Sequence, residues 1–355
     1  MLVVMSVNHL GLPQKSSQGN AELMEERVSK GRRVMNAYVG VTASSINPAN
    51  PLTLSKIYWS VAVPSITYGL EVIPIKDADL EKLDKGQREA AKRVQGLPPN
   101  TSNPACLAQL GWRKLSTKIY VAKLMFLWQI LSLAADSVYK KVTVIRLTKL
   151  EYSNLDQMSP LWNIVSVAKK FGLFDSYRNM INSGIIPPKE AWKRQVKNVV
   201  MQHERNQWKI ELLMYKKVDI YMCVISEIKP NSWWLLAKKY PSLIKQCKII
   251  MQLIVGEGNL RVNVGIRCER NKRDVESLCK MCEAEAETLN HMILKCPAHQ
   301  SVRESLMAIL SDYNLDELSD DYKVRFILDE ASILDDKEKI HVLKHISDMY
   351  KSRDC

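Results

Sequence analysis

Cys279, Cys282, His291 and Cys296 fall in one short stretch, CKMCEAEAETLNHMILKC, at the spacing Cys-x2-Cys-x8-His-x4-Cys. A Cys-x2-Cys pair lets one tight turn aim two thiolates at a common point, the usual first half of a structural zinc site. The second half needs two more soft or borderline ligands converging there. The segment AEAETLNHMILK reads as a helix with Thr288 as its N-cap and Glu283, Glu285 and Glu287 near its positive end. His291 and Cys296 are five residues apart, which on a continuous α-helix turns their side chains about 140° away from each other. Pro297 offers a way out. The residue before a proline is biased out of the α region, so the helix is expected to end near Lys295 and release Cys296 toward the metal. Leu289, Met292 and Ile293 form an apolar stripe that can pack the unit onto a neighbour. Four protein ligands leave no position for water, so the expected Zn2+ is structural, contributing folding energy on the order of 10 kcal/mol. The competing reading is buried free cysteines beside a surface histidine. His299 and Cys268 are reserve ligands, ranked below Cys296. His341 and His345, four apart with no third ligand nearby, read as a solvated helix face.

The elements that must hold these residues are helices. Residues 21–40 carry Leu23, Val28, Met35 and Val39 near helical spacing and reach a cap candidate at Gly40. Asn50-Pro51 is a helix start signal. DADLEKLDKGQREAAKRVQGLP gathers Leu80, Leu83, Gln87, Ala90, Ala91 and Val94 on one side and is stopped by Gly96 and Pro98. An apolar helix follows from KIYVAKLMFLWQILSLAA, then helices at 160–182, and a long one after Pro188. The one segment that alternates like a strand is Asn259–Gly265, with Leu260, Val262 and Val264. Three polar, acidic helices are expected after the cysteine cluster. The eight tryptophans lie within helical apolar patterns and are expected mostly in the core rather than as base-stacking platforms. The fold class is therefore mainly α.

Charge is unevenly spread. Residues 101–250 hold 24 Lys and Arg against 9 Asp and Glu, a surplus larger than the net +13 of the whole chain. Residues 301–355 hold 8 against 13. A basic block of this kind suits a polyanion, nucleic acid before an anionic membrane. The plainer reading is a set of solvated helix faces. The opening MLVVMSVNHLG has neither a basic flank nor a small-residue cleavage site, and Ile57–Leu70 is too short to span a bilayer. The expectation is an intracellular protein, nuclear or cytoplasmic, with no membrane partner. Eight cysteines, five of them dispersed, are too few for a disulfide scaffold.

Four segments in order resemble the C-terminal part of the reverse transcriptase of non-LTR (LINE-type) retrotransposons. They are NHLGL (Asn8–Leu12) followed by a basic helix, and LSKIYWSVAVPSITYGLEV, with Tyr58, Pro64, Tyr68-Gly69 and Glu71. Next comes LDKGQREAAKRVQGLPPNTSNPACLAQLGW, with Gln87, Gly96-Leu97-Pro98, Thr101 and Leu110-Gly111; the last is the Thr288-x2-His291-x4-Cys296 ending of the cluster. The resemblance implies a post-palm and thumb-like helical region over 1–150, a helical connector over 151–265, a zinc-binding knuckle over 266–300 and an acidic helical tail over 301–355. It implies grip on RNA or DNA. The basic surface would be drawn from Lys114, Lys118 and Lys123, from Lys193, Arg194, Lys197 and Arg205, and from Arg267, Arg270, Lys272 and Arg273. The aromatic-x-Asp-Asp turn that holds polymerase metals is missing. Asp320-Asp321 and Asp335-Asp336 belong to the acidic tail, without flanking strands. The expectation is a noncatalytic nucleic-acid-binding fragment. A truncated gene product would have an upstream polymerase module as partner, and a remnant whose zinc only staples helices is the alternative.

Overall fold

The computed structural model describes residues 6–9, 12–15, 21–43, 49–152, 159–215, 221, 225, 227–269, 277–309, 311–328 and 333–354. These residues are mainly α-helical, as the periodicity predicts, with one two-stranded antiparallel hairpin, Ser6–His9 with Leu12–Lys15. The polypeptide divides into two compact units, each assembled from separated stretches. The first comprises residues 1–37, 57–90 and 113–208; the second comprises 38–56, 91–112 and 209–355.

In the first unit the core is made by α-helices Leu115–Leu131, Val138–Tyr152, Pro160–Lys170, Phe174–Ser183 and Lys189–Leu213. Leu124, Leu127, Ile164, Ala168, Tyr177, Trp192 and Val196 meet there, buried. The start of helix Leu115–Leu131 is held by side chains from distant segments. Glu204 accepts from the Lys114 N–H (2.7 Å), Gln87 from Leu115 N–H (2.9 Å), and Asp84 from both Ser116 N–H (3.0 Å) and its hydroxyl (2.6 Å). A helix leaves its first N–H groups without intrahelical partners. Here those groups tie three helices together, which explains why the polar Asp84, Gln87 and Glu204 are buried.

In the second unit helices Asn103–Ala108, Ser232–Lys239, Ile244–Ile254 and Asp336–Lys351 surround Cys106, Trp233, Trp234, Met251 and Ile346, all at most 1% exposed. Gln95 links two of these segments, donating to Cys106 O (2.8 Å) and accepting from the Trp234 indole N–H (3.2 Å). Helix Asp77–Gln95 stops where Gly96 takes φ +61, with Leu97 N–H donating back to Lys92 O at 2.8 Å, the C-terminal arrangement a glycine permits. Asn50 caps the helix at Pro51 by accepting from Leu52 N–H (2.8 Å). Trp112, Trp192, Trp208, Trp233 and Trp234 are core residues, and the other three tryptophans are half-buried.

Two expectations need correction. The first helix runs through Gly40 to Ala43. The alternating segment Asn259–Gly265 is not a strand: Arg261–Glu269 is an α-helix. Its start is fixed by the Glu287 carboxylate, which accepts from Arg261 N–H at 2.7 Å, and by Val264 N–H donating to Leu260 O at 2.9 Å. A tertiary anion at the helix start overrides the local β preference of Val262 and Val264. Among the described residues no helix is long and apolar enough to cross a membrane.

Candidate metal centre

The metal unit begins with a tight hairpin. Cys279 N–H donates to Glu285 O and Glu287 N–H to Ser277 O, both at 2.8 Å, with a bridge between Leu278 and Ala286. Between them the chain reverses through Glu283 at φ 56 while Glu283 N–H donates to Cys279 O (2.9 Å). This turn brings the first cysteine pair onto one side. Thr288 then caps the following helical turn, its hydroxyl accepting from His291 N–H at 3.0 Å, as its position predicts.

The five-residue interval from His291 to Cys296 is solved in two ways at once. Cys296 leaves the helical region (φ −58, ψ 120), as expected before Pro297. The turn ahead of it, His291–Lys295, is a π-helix closed by Cys296 N–H donating to His291 O at 2.7 Å. A bond spanning five residues widens the turn, so residues five apart come back onto nearly the same side. That device was absent from the sequence reading.

The result is a closed cluster. One ligand atom from each of Cys279, Cys282, His291 and Cys296 lies within 4.8 Å of all the others. Cys279 Sγ is 3.9 Å from Cys296 Sγ, and Cys282 Sγ is 3.3 Å from His291 Nε2. Tetrahedral zinc with bonds of about 2.3 Å to sulfur and 2.0–2.1 Å to nitrogen needs edges of roughly 3.8 and 3.6 Å, so the donor set fits. Three thiols and an imidazole with oxygen donors only behind them suit a soft or borderline ion rather than calcium or magnesium. His291 Nδ1 lies 3.2 Å from the Glu285 carboxylate, a partner that would fix the ring with Nε2 toward the metal. Met281 N–H donates to Cys279 Sγ at 3.4 Å. The Ala284 N–H holds the Cys282 thiol down to about 7, while burial pushes Cys296 up to about 12. A bound cation would take all three as thiolates.

Behind the cluster sits a buried ion pair. Glu287, fully buried, accepts from Arg353 Nε (2.6 Å) and Nη2 (2.8 Å) as well as from Arg261 N–H, and Arg353 Nη2 also donates to Asn259 O at 2.8 Å. Sequence reading placed Glu287 as a helix-start charge and gave Arg353 no role. Nothing in their 66-residue separation signals the pairing. His299 is buried with Nε2 unpartnered among the described residues, and it is not in the cluster. The Cys268 side chain lies outside the described residues.

Both Asp-Asp pairs of the tail have structural partners. Asp320 pairs with Lys295 (2.9 Å) and Asp321 accepts from Asn290. Asp335 caps helix Asp336–Lys351 in a capping box with Glu338, and Asp336 pairs with Lys239.

The basic residues divide. Lys118, Arg194 and Lys197 are exposed; Lys114, Lys193 and Arg205 are half-buried. Lys193, Arg194 and Lys197 share neighbouring turns of helix Lys189–Leu213. Lys123 is removed from the surface set: it is 1% exposed and its ammonium donates to Ile73 O at 2.5 Å. Its helix, Leu115–Leu131, is apolar on nearly every side, so the sequence marks no polar face on which Lys123 would have to lie. The Arg267 side chain lies outside the described residues, as do Arg270, Lys272 and Arg273. A scan against models of protein families, a search of curated proteins and a search of solved structures each give no match to this chain.

Proposed function

We propose that this chain is a noncatalytic nucleic-acid-binding module derived from a non-LTR retrotransposon reverse transcriptase, with a structural Zn2+ at Cys279, Cys282, His291 and Cys296. The observation that carries the reading is the closed four-ligand cluster, whose spacing and Thr-x2-His-x4-Cys ending are those of the resemblance. When bound, the ion supplies cross-linking and no reaction. The residues of the chain do the rest: Glu285 orients His291, the Met281 N–H supports the Cys279 sulfur, and Pro297 with the π turn delivers Cys296. RNA or DNA would be held through phosphate by exposed cations such as Lys118, Arg194 and Lys197, so affinity should fall steeply with salt and show little sequence preference.

The test is zinc content together with RNA and DNA affinity at several salt concentrations, for the wild type and for Cys282→Ser. Loss of zinc together with binding supports the full reading, and an affinity independent of salt overturns it. A second reading, in which zinc only staples helices and no strand is bound, is favoured by the depth of the cluster: Cys279, His291 and Cys296 are at most 3% exposed. It predicts normal zinc uptake with no strand affinity at any salt.

A further inference from the structure

Helix Val138–Tyr152 contacts helices Leu115–Leu131 and Pro160–Lys170 in the first unit. Its Leu147 is buried in the core there, with Val144 packed beside it. The outer side of the same helix is apolar as well. Val138 is 69% exposed, Val142 46% and Ile145 56%. At 3.6 residues per turn these three fall within an arc of about 60°, on the side away from Leu147. Single exposed apolar residues are ordinary on a protein surface, whereas three in a row along one helix face mark a surface that another molecule covers.

The row has the spacing of a helix–helix seam. Val138, Val142 and Ile145 follow one another by four and then three residues, the interval of the apolar positions in a heptad repeat. Exposed Lys141 lies on one flank of the seam and exposed Arg146 on the other. From Val138 to Lys149 the helix carries four cations, Lys140, Lys141, Arg146 and Lys149, and no acid. Width and charge together select the occupant. A helix that lies in a bilayer needs a broader apolar face than an arc of about 60°. A second copy of this chain would set Lys141 and Arg146 against like charges. Phosphates would satisfy the cations and leave the seam uncovered. We propose that the outer face of helix Val138–Tyr152 docks an amphipathic helix of a partner protein, one with an apolar seam at heptad spacing and Asp or Glu on both flanks. The partner's seam would cover Val138, Val142 and Ile145 while its carboxylates meet Lys141 and Arg146. The proposal goes beyond strand binding and uses neither the strand-binding cations nor the metal.

Fluorescence anisotropy of a labelled synthetic peptide of about four heptads, with Leu at the seam positions and Glu on both flanks, titrated with the full chain, tests it. The flanking glutamates also keep the peptide from pairing with itself. One-site saturable binding is expected. Binding at least about tenfold weaker is expected for a peptide with Lys on both flanks, and for Ile145→Glu with the Glu-flanked peptide. Lys141→Glu with Arg146→Glu should reverse the preference between the two peptides. Polyglutamate, which has the carboxylates without a seam, should not compete. Absence of saturation, equal binding of the two peptides, wild-type affinity in Ile145→Glu, or full competition by polyglutamate overturns the proposal; the peptide comparison needs no variant to fold. Capture of the wild type but not of Ile145→Glu by vesicles containing phosphatidylserine assigns the face to lipid and overturns it as well. No nucleic acid enters the titration, so this proposal and strand binding fail independently.

Discussion

Arg353→Met removes the cation that neutralises Glu287 while leaving most of the side-chain volume in place. Glu287 is 0% exposed and Arg353 4%, so water cannot replace the lost partner without opening the fold. The carboxylate would lose both guanidinium donors and keep the Arg261 N–H at 2.7 Å and the weak Cys279 Sγ contact at 3.9 Å. Breaking a buried, bidentate pair by deleting one partner costs about 3–5 kcal/mol, because an uncompensated charge remains inside. Glu287 is also the residue whose N–H closes the hairpin onto Ser277 O and which precedes the Thr288 cap. Strain there is felt by both halves of the ligand set, so zinc affinity should fall along with stability. Urea unfolding of the zinc-loaded protein, followed with a competing chromophoric chelator, reads both quantities. The decisive arm is the double variant Glu287→Gln with Arg353→Met, in which no charge is buried; it should recover most of the loss, as a double-mutant cycle requires of coupled partners. A cost below about 1 kcal/mol for Arg353→Met, or a cost unchanged in the Glu287→Gln background, would refute the argument that the pair anchors the metal unit.

Lys123 holds its proton less tightly folded, at about 8, than unfolded near 10.5, so between those values the unfolded chain binds more protons and stability rises with pH. The disadvantage of wild type relative to Lys123→Met should therefore shrink between pH 8 and 10 by up to about 3 kcal/mol, read as the difference between paired urea curves. Gly111→Ala should cost about 2–3 kcal/mol, since φ is +68 and the new Cβ would lie 2.6 Å from Pro230 Cδ and 2.9 Å from its backbone nitrogen. Gly172→Ala, at φ +65 with nothing within 4 Å, should cost only about 1 kcal/mol, so equal losses in thermal unfolding would discount the Pro230 contact. Stripping metal with a chelator should raise amide hydrogen exchange across residues 277–299 and in helix Asp336–Lys351, while helix Leu115–Leu131 of the other unit keeps its protection.

What could be read from the sequence was what local chemistry determines. Leu80, Leu83, Gln87, Ala90, Ala91 and Val94 share one face of a helix and all are buried; Gly96 ends that helix by taking the left-handed conformation its missing Cβ allows. The ligand set was legible for the same reason, because Cys-x2-Cys, Thr288 and Pro297 each act within a few residues of themselves. The hidden part is where a distant group outvotes the local signal. Leu260, Val262 and Val264 alternate as a strand would, yet a carboxylate 26 residues away accepts from Arg261 N–H and helix forms instead. Lys123 looks like its basic neighbours until Ile73 O is placed against it, 50 residues back. The same carboxylate, Glu287, joins the hairpin of the metal unit, the start of helix Arg261–Glu269 and Arg353 beyond helix Asp336–Lys351. The Cys-His cluster is thus more than a local clip. Its closure positions a buried anion on which three segments depend, so a metal held by four residues within eighteen positions would organise chain that extends to Arg353.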